Sequence, residues 1–226
     1  MCLFRNKDRD VLLREVCGIQ FRNPVGVSFP EGSPLPPTKK RILAGFITLN
    51  PPKDNVLKWI TELQTFREKT VLGVNLSTDI MRNFALVYDF ADFIVIDPDT
   101  DSGINSPDVG DSAQLLSEIV SQRLCYEHYT PVLLRISHAV TPQELHPLLS
   151  FCQFYGIDGA IVHGSRKMSM AIEQTKGRLP IVGVAQNSQD AMELLDKGAV
   201  LVETLLRPLP LAKLLKTMEK QAKVKV

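Results

Sequence analysis

The feature that most constrains the fold is a regular recurrence of short apolar segments along the chain. Eight runs rich in Val, Ile and Leu are present, and nearly every one is followed by a segment with helical periodicity. The runs are almost continuously apolar, which is typical of parallel strands covered by helices on both faces. The predicted strands are Val25–Ser28, Gly45–Leu49, Val71–Asn75, Phe93–Asp97, Val132–Ser137, Gly159–His163, Ile181–Val184 and Val200–Glu203.

Eight strand–helix units in a chain of 226 residues fit one closed (β/α)8 TIM barrel. An open doubly wound sheet is the alternative, but the turn after its first strand usually carries GxGxxG. Here that turn is Gly26-Val27-Ser28-Phe29-Pro30. No Gly/Ser linker, charge block or shift in composition marks a domain boundary. We therefore predict an α/β fold, with a single TIM-barrel domain over residues 1–226.

Local signals place several helix ends. Thr141 and Glu144 form a capping box at the start of the helix after the fifth strand, and Gly156 supplies its left-handed stop. Pro147 predicts a kink in that helix or a late start. Asp111 is predicted to cap the helix that precedes the fifth strand.

Charge and hydropathy exclude several classes of partner. The formal net charge is +1, so no large field of one sign attracts nucleic acid or a membrane surface. No apolar stretch reaches the roughly 18 residues that a membrane helix needs. Met1–Asp10 is charged and is not followed by the apolar core of a signal peptide. We therefore predict a cytoplasmic protein that binds neither nucleic acid nor membrane.

The cysteines and histidines do not predict a metal site. The four cysteines lie far apart without a CxxC pair, which argues against both a disulfide framework and a zinc knuckle. The four histidines lack the i, i+4 spacing of a metal-binding helix, and no facing set of cysteines or carboxylates accompanies them. No metal is therefore predicted.

Polar residues cluster where the predicted strands end, and in a TIM barrel that face holds the active site. Asn50, Asn75, Asp97 and His163 all follow or end strands. Arg135 lies inside the apolar run Leu133-Leu134-Arg135-Ile136, where a buried guanidinium needs a charged partner. Asp97 and Glu203 are the candidate partners.

Two connections have the composition of binding loops. The segment Pro98–Gly110, rich in Asp, Pro, Ser and Gly, is predicted to be an active-site loop or lid, with disorder as the alternative. The turn Gly183–Ser188 leads into a helix and offers backbone N–H groups to a phosphate. Glu203, at the end of the next strand, would repel a phosphate unless Arg207 offsets its charge.

Together, these segments resemble dihydroorotate dehydrogenase, a flavin-dependent barrel enzyme of pyrimidine biosynthesis. The likeness covers most of the chain, although family members are longer, and it is carried mainly by scaffold motifs. The matching segments are Gly18–Gly26, Gly73-Val74-Asn75, Ala91–Ile96, Pro131–Ile136 with Thr141 and Glu144, Gly156–Val162, Leu179–Val184 with Asp190-Ala191, and Gly198–Val202.

The resemblance implies roles for residues at the strand ends. Asn75 matches an asparagine near the flavin and the substrate. Arg135 replaces a lysine that supports the flavin ring, and Asp97 replaces an asparagine of the substrate site. Thr100 or Ser102 stands where the catalytic base is expected.

The remaining implied positions concern the cofactor, FMN, and the substrate. Ser28 begins the stretch against the flavin, where the following Phe29 and Pro30 would crowd the ring. His163 and Gly164 occupy a substrate-binding position after the sixth strand. Gly183 and Ala185 occupy cofactor-binding positions at the seventh strand, and Leu205 with Leu206 stands where a pair of residues holds the FMN phosphate through its backbone.

Three functional hypotheses follow. The first is an FMN-dependent oxidoreductase related to dihydroorotate dehydrogenase, acting on a small molecule, with altered or lost activity. The second is a non-catalytic barrel that binds a protein or another ligand, in which Asp97 and Arg135 form an ion pair that fills the flavin pocket. The third is a phosphate-binding lyase or isomerase with His163 and Asp97 as acid and base. Family members often form homodimers, so the resemblance also implies a homodimer.

Overall fold

The computed structural model describes residues 11–29, 33, 42–67, 69–98, 109–204 and 208–224. Within them, short strands alternate with helices along nearly the whole chain. The strands are β1 (Arg14–Val16), β2 (Ile19–Phe21), β3 (Val25–Ser28), β4 (Phe46–Leu49), β5 (Val71–Leu76), β6 (Phe93–Ile96), β7 (Val132–Ile136), β8 (Gly159–His163), β9 (Ile181–Ala185) and β10 (Leu201–Thr204). The helices are α1 (Val56–Arg67), α2 (Ile80–Val87), α3 (Val109–Arg123), α4 (Pro142–Tyr155), α5 (Ser165–Thr175), α6 (Ser188–Asp196) and α7 (Pro208–Val224).

The strands β3 to β10 form a closed parallel barrel, which confirms the predicted TIM-barrel fold. Each strand pairs with the next one along the chain, and the barrel closes where β10 pairs with β3, with Val202 opposite Val25. Two predicted strands end one residue early, so that Asp97 and Ser137 lie just beyond β6 and β7. Both residues therefore belong to the loops at the mouth of the barrel.

The antiparallel hairpin of β1 and β2 was not predicted. Its strands have three residues each, too few to show a periodic pattern. Phe21 from β2 packs with the apolar side chains inside the barrel. The hairpin thus covers the end of the barrel that is opposite to the mouth.

Side chains along the barrel strands alternate between two apolar environments. On β3, Val25 and Val27 belong to the large core between barrel and helices, so Gly26 and Ser28 face the interior. The same alternation along the other strands builds a separate interior cluster. Its buried members are Phe21, Phe46, Phe93, Val95, Leu133, Ile161, Val182 and Leu201.

Three phenylalanines fill the lower part of the interior. Phe46 lies between Phe21 and Phe93, with ring centroids 5.6 Å and 5.8 Å apart. A β-carbon at Gly26 would lie 2.1 Å from the Phe46 ring, and one at Gly73 would lie 2.2 Å from the Phe93 ring. These glycines therefore make room for the rings, because any larger side chain would overlap them.

The helix termini test the local signals. The capping box of Thr141 and Glu144 is present, and Gly156 ends α4 at φ 71°, as predicted. Pro147 lies inside α4, which nevertheless begins at Pro142, so the predicted late start is wrong. Asp111 is the third residue of α3 rather than its cap, because the helix begins at Val109.

Of the helices in the described ranges, none combines the length and apolar character needed to cross a membrane.

Candidate functional site

The candidate site is the mouth of the barrel, at the carboxyl ends of the strands. Alternation directs the side chains of Asn75, Arg135 and His163 inward from β5, β7 and β8, because the residues between them pack outward. Asn50 and Asp97 follow β4 and β6 in the same phase. The mouth is thus lined by polar groups, in contrast to the apolar interior below it.

Arg135 reaches across the interior of the barrel and links several strands. Its Nη1 lies 2.8 Å from Oε2 of Glu203, on β10, and its Nε lies 3.3 Å from Oδ2 of Asp97. The same Nε donates to Oδ1 of Asn75 at 3.2 Å. The proposed ion pair between Arg135 and Asp97 is therefore present, and Glu203 is a second and closer partner.

Amide side chains extend this network toward β4. Nδ2 of Asn75 donates to Oδ1 of Asn50 at 2.7 Å and lies 3.4 Å from Oδ2 of Asp97. Nδ2 of Asn50 in turn donates to the backbone oxygen of Phe29 at 2.8 Å. The amide of Asn75 is therefore fully engaged with protein groups.

The ion pairs are largely withdrawn from water. The side chain of Arg135 is 12% exposed and that of Glu203 only 2%. Burial opposes the charged form of Arg135, but Glu203 and then Asp97 favour it, so that its pKa is raised above the ordinary value. Arg135 is thus a permanent cation whose charge is matched within the barrel.

Two buried oxygens near this network have no hydrogen-bond partner in the described part of the chain. They are Oε1 of Glu203 and Oγ1 of Thr48. Sequence reasoning missed Thr48 because it lies within an apolar strand. Thr48 could have been identified because it lies two residues before Asn50, and side chains two apart on a strand face the same way, here into the barrel.

His163 and Lys167 lie at the β8 side of the mouth. Burial lowers the pKa of His163, and the positive charge of Arg135 lowers it further. The imidazole is therefore neutral near pH 7. Lys167, on α5, donates to the backbone oxygens of Ser137, at 3.4 Å, and His138. Its ammonium group is thus bound to the loop after β7.

The turn predicted to bind phosphate is closed by its own side chains. Oδ1 of Asn187 accepts from the backbone N–H groups of Gln189 and Asp190, at 2.9 Å and 3.0 Å. Oδ2 of Asp190 accepts from the N–H of Gln186 at 2.9 Å. Three backbone donors of this turn are therefore occupied, and that of Gln186 is bonded to a carboxylate.

Several residues implied by the resemblance point away from the mouth. Gly183 faces outward, since a β-carbon there would meet Leu194 and Met168 on the helices. Ala185 shares this outward phase and is buried. Phe29 packs against the outer core, so the expectation that it crowds the flavin ring is wrong.

The other implied residues are not brought into the network. Gly164 precedes α5 with φ 83°, and Ser28 faces inward from β3, half-buried. Thr100, Ser102, Leu205 and Pro30 lie outside the described residues, as does most of the loop Pro98–Gly110. Their predicted roles stay predictions.

The residues of the mouth do not fit the flavin site that the resemblance implies. A reduced flavin needs an uncompensated cation beside its ring, but Arg135 is already paired with two carboxylates. Its phosphate needs free backbone donors, but the N–H groups of Gln186, Gln189 and Asp190 are bonded to the side chains of Asn187 and Asp190. No group of three His, Cys, Asp or Glu side chains able to hold a metal occurs in the described ranges.

Comparison with known proteins supports the fold and no more specific relationship. No protein-family model matches the sequence, and no curated protein matches it. The dihydroorotate dehydrogenase (DHODH) of Eimeria tenella in complex with ferulenol superimposes with a TM-score of 0.76 at 16% identity, over 98% of this chain and 88% of that one. Ligand-free DHODH from the same organism gives a TM-score of 0.73 at 16% identity, over 96% and 89%.

A third solved structure is similar over a smaller part of the chain. QR15, an aldolase, gives a TM-score of 0.60 at 14% identity and covers 76% of this chain and 82% of its own. At these identities the likeness shows the fold alone. The chain therefore has a TIM-barrel fold similar to that of DHODH.

Proposed function

We propose that this protein is a non-redox barrel of the DHODH-like fold, which binds a small molecule at its mouth instead of performing flavin chemistry. One observation carries the proposal: Arg135 is paired with both Glu203 and Asp97, at 2.8 Å and 3.3 Å, in the centre of the mouth. The cation that would support a reduced flavin is thereby neutralised within the protein.

Electrostatics makes this pairing difficult to reverse. A flavin that recruited Arg135 would leave the carboxylate of Glu203 buried without its partner, and breaking a buried pair in this way costs about 3–5 kcal/mol. The binding energy of the cofactor would first have to offset that cost. The occupied amides at the start of α6 remove a further source of binding energy.

Flavin content tests the proposal directly. The protein, purified without added cofactor, is expected to be colourless, and adding FMN should neither quench flavin fluorescence nor raise the melting temperature. A known FMN-binding barrel, purified and titrated in parallel, provides the positive control. Near-stoichiometric flavin in the purified protein, or saturable FMN binding, would contradict the proposal.

A second candidate is an FMN-dependent oxidoreductase of pyrimidine biosynthesis, with dihydroorotate or a related molecule as substrate. The observation in its favour is that Asn75 and Arg135, at two positions implied by the resemblance, are hydrogen-bonded to each other at 3.2 Å in the mouth. Dye reduction with dihydroorotate, measured after incubation with FMN, tests this candidate. Turnover that is lost in Arg135→Met would support it, whereas absence of turnover with flavin bound would exclude it.

A further inference from the structure

The two unpartnered oxygens lie in the same layer of the barrel interior. In a TIM barrel, inward side chains of alternate strands form layers of four. Followed around this barrel, the pairing register places Thr48, Val95, Ile161 and Glu203 in one layer. Thr48 and Glu203 are neighbours within it, because only β3 separates β4 from β10. Both Oγ1 of Thr48 and Oε1 of Glu203 are buried and lack a partner in the described chain.

The strand between them leads from these oxygens to the mouth. Ser28 faces inward from β3 one layer nearer the mouth, and it is half-buried rather than buried. Below it on the same face is Gly26, whose missing side chain leaves room for the Phe46 ring. Three consecutive strands therefore carry inward-facing side chains with oxygen atoms between the Phe46 ring and the mouth.

The charges of this region favour a positively charged occupant. The inward-facing ionisable residues of the described strands and strand ends are Asp97, Arg135, His163 and Glu203. Two of them are acids and one is a permanent cation, while His163 is neutral because burial and Arg135 lower its pKa. Among these four residues the acids outnumber the permanent cation by one. Lys167, also at the mouth, is bound to the backbone oxygens of Ser137 and His138, so the unpartnered oxygen of Glu203 is a buried acceptor that a cationic group would satisfy.

We propose that Ser28, Thr48 and Glu203 form a subsite for the ammonium group of a small primary amine. A primary ammonium carries one positive charge and three N–H donors, which matches a carboxylate oxygen and two hydroxyl oxygens. A quaternary ammonium carries the same charge without N–H donors and is larger, so the subsite discriminates against it. This proposal rests on the proposed binding function and specifies the chemical class of the ligand.

Methylammonium is the smallest suitable probe. Titration with methylammonium chloride is expected to raise the melting temperature saturably, because a ligand that binds only the folded state stabilises it. Tetramethylammonium chloride at equal concentration is the matched control and should give only the smaller, non-saturating effect of ionic strength. Equal responses to the two salts would overturn the proposal.

Two variants locate the binding. Glu203→Gln removes the charge while keeping the shape, and Thr48→Val removes the hydroxyl; each should abolish or strongly weaken the methylammonium response. Glu118→Gln, at an exposed position on α3, should retain it. If Glu203→Gln does not fold, Thr48→Val alone tests the proposal, because an undiminished methylammonium response in that variant contradicts the subsite.

The nature of the occupant gives a further test. A crystal structure grown with methylammonium should show it within hydrogen-bond distance of Thr48 and Glu203, and a water there that methylammonium does not displace would overturn the proposal. Because FMN binding is measured with a different ligand, the subsite and the loss of flavin chemistry can fail independently. Saturable FMN binding contradicts only the proposed function, and absence of an amine response contradicts only the subsite.

Discussion

The two ends of the barrel interior are stabilised in different ways, although the same strands build both. At the end covered by the hairpin, the rings of Phe21, Phe46 and Phe93 interlock around a cavity of about 20 Å³ with an entirely apolar lining. At the mouth, Arg135 joins Glu203 and Asp97 through ion pairs. The hairpin end is therefore stabilised by the fit of apolar side chains, and the mouth is stabilised by ion pairs.

This difference predicts which perturbations each end tolerates. Apolar packing is sensitive to the volume of a single methyl group but carries no ionisable group that titrates. A buried ion pair tolerates changes of packing around it better than the loss of one partner, which leaves the other charge uncompensated. The mouth should therefore respond to charge and pH, and the hairpin end to side-chain size.

The largest expected effect comes from removing the central cation. Arg135→Met leaves the buried carboxylate of Glu203 without a partner and should lower the free energy of unfolding by about 3–5 kcal/mol. Urea denaturation measures the change, and Arg82→Met, at an exposed position of α2, is the control. A loss below about 1 kcal/mol would show that charge pairing does not dominate the mouth.

A steric change at the hairpin end should have the next largest effect. Gly73→Ala places a β-carbon 2.2 Å from the Phe93 ring, and overpacking of this kind costs about 1–3 kcal/mol. Phe93→Leu in the same chain should recover part of the loss, because it opens space beside residue 73. Additive losses in the double variant would contradict the close packing of these two residues.

Filling the cavity should produce a smaller effect of opposite sign. Val182 lines the cavity, and Val182→Ile adds one methyl group there, which should stabilise the protein by up to about 1 kcal/mol. Val184→Ile is a matched control, because the residue lies on the same strand and the same face but does not line the cavity. Thermal unfolding compares the two, and an equal gain in both would contradict a local filling effect.

The smallest expected effect is a pH dependence confined to the mouth. The pKa of His163 is lower in the folded protein than its ordinary value of 6.5, so the unfolded chain takes up the proton first as the pH falls. Stability should therefore fall below about pH 6.5, as the pH approaches the folded pKa. His163→Gln should flatten this part of the profile, and His146→Gln, at an exposed position of α4, is the control variant. Identical slopes of stability against pH for the wild type and His163→Gln would contradict the assignment of this pH dependence to His163.

Much of the scaffold could be predicted from the sequence, because its signals are local. Continuous apolar runs and helical periodicity identified the barrel strands, and the capping box identified the start of α4. The partners of Arg135 could also be predicted, because a guanidinium in an apolar strand requires a carboxylate and few candidates follow the other strands.

The errors arose where the direction of a side chain decides the outcome. Phe29 was expected beside the flavin ring at the mouth, but it packs against the outer core. The turn before α6 had the composition of an anion site, yet Asn187 and Asp190 cap its amides themselves. A single sequence does not indicate whether such side chains bond to their own backbone or to a ligand.

The pairing of β3 with β10 has a consequence for synthesis of the chain. Val25 and Val202 are adjacent in the barrel but far apart in the sequence, so the barrel cannot close until β10 has left the ribosome. Glu203 lies on β10, so before that strand is made Arg135 can pair with Asp97 but not with Glu203. The charge network at the mouth is therefore completed only when β10 joins the barrel.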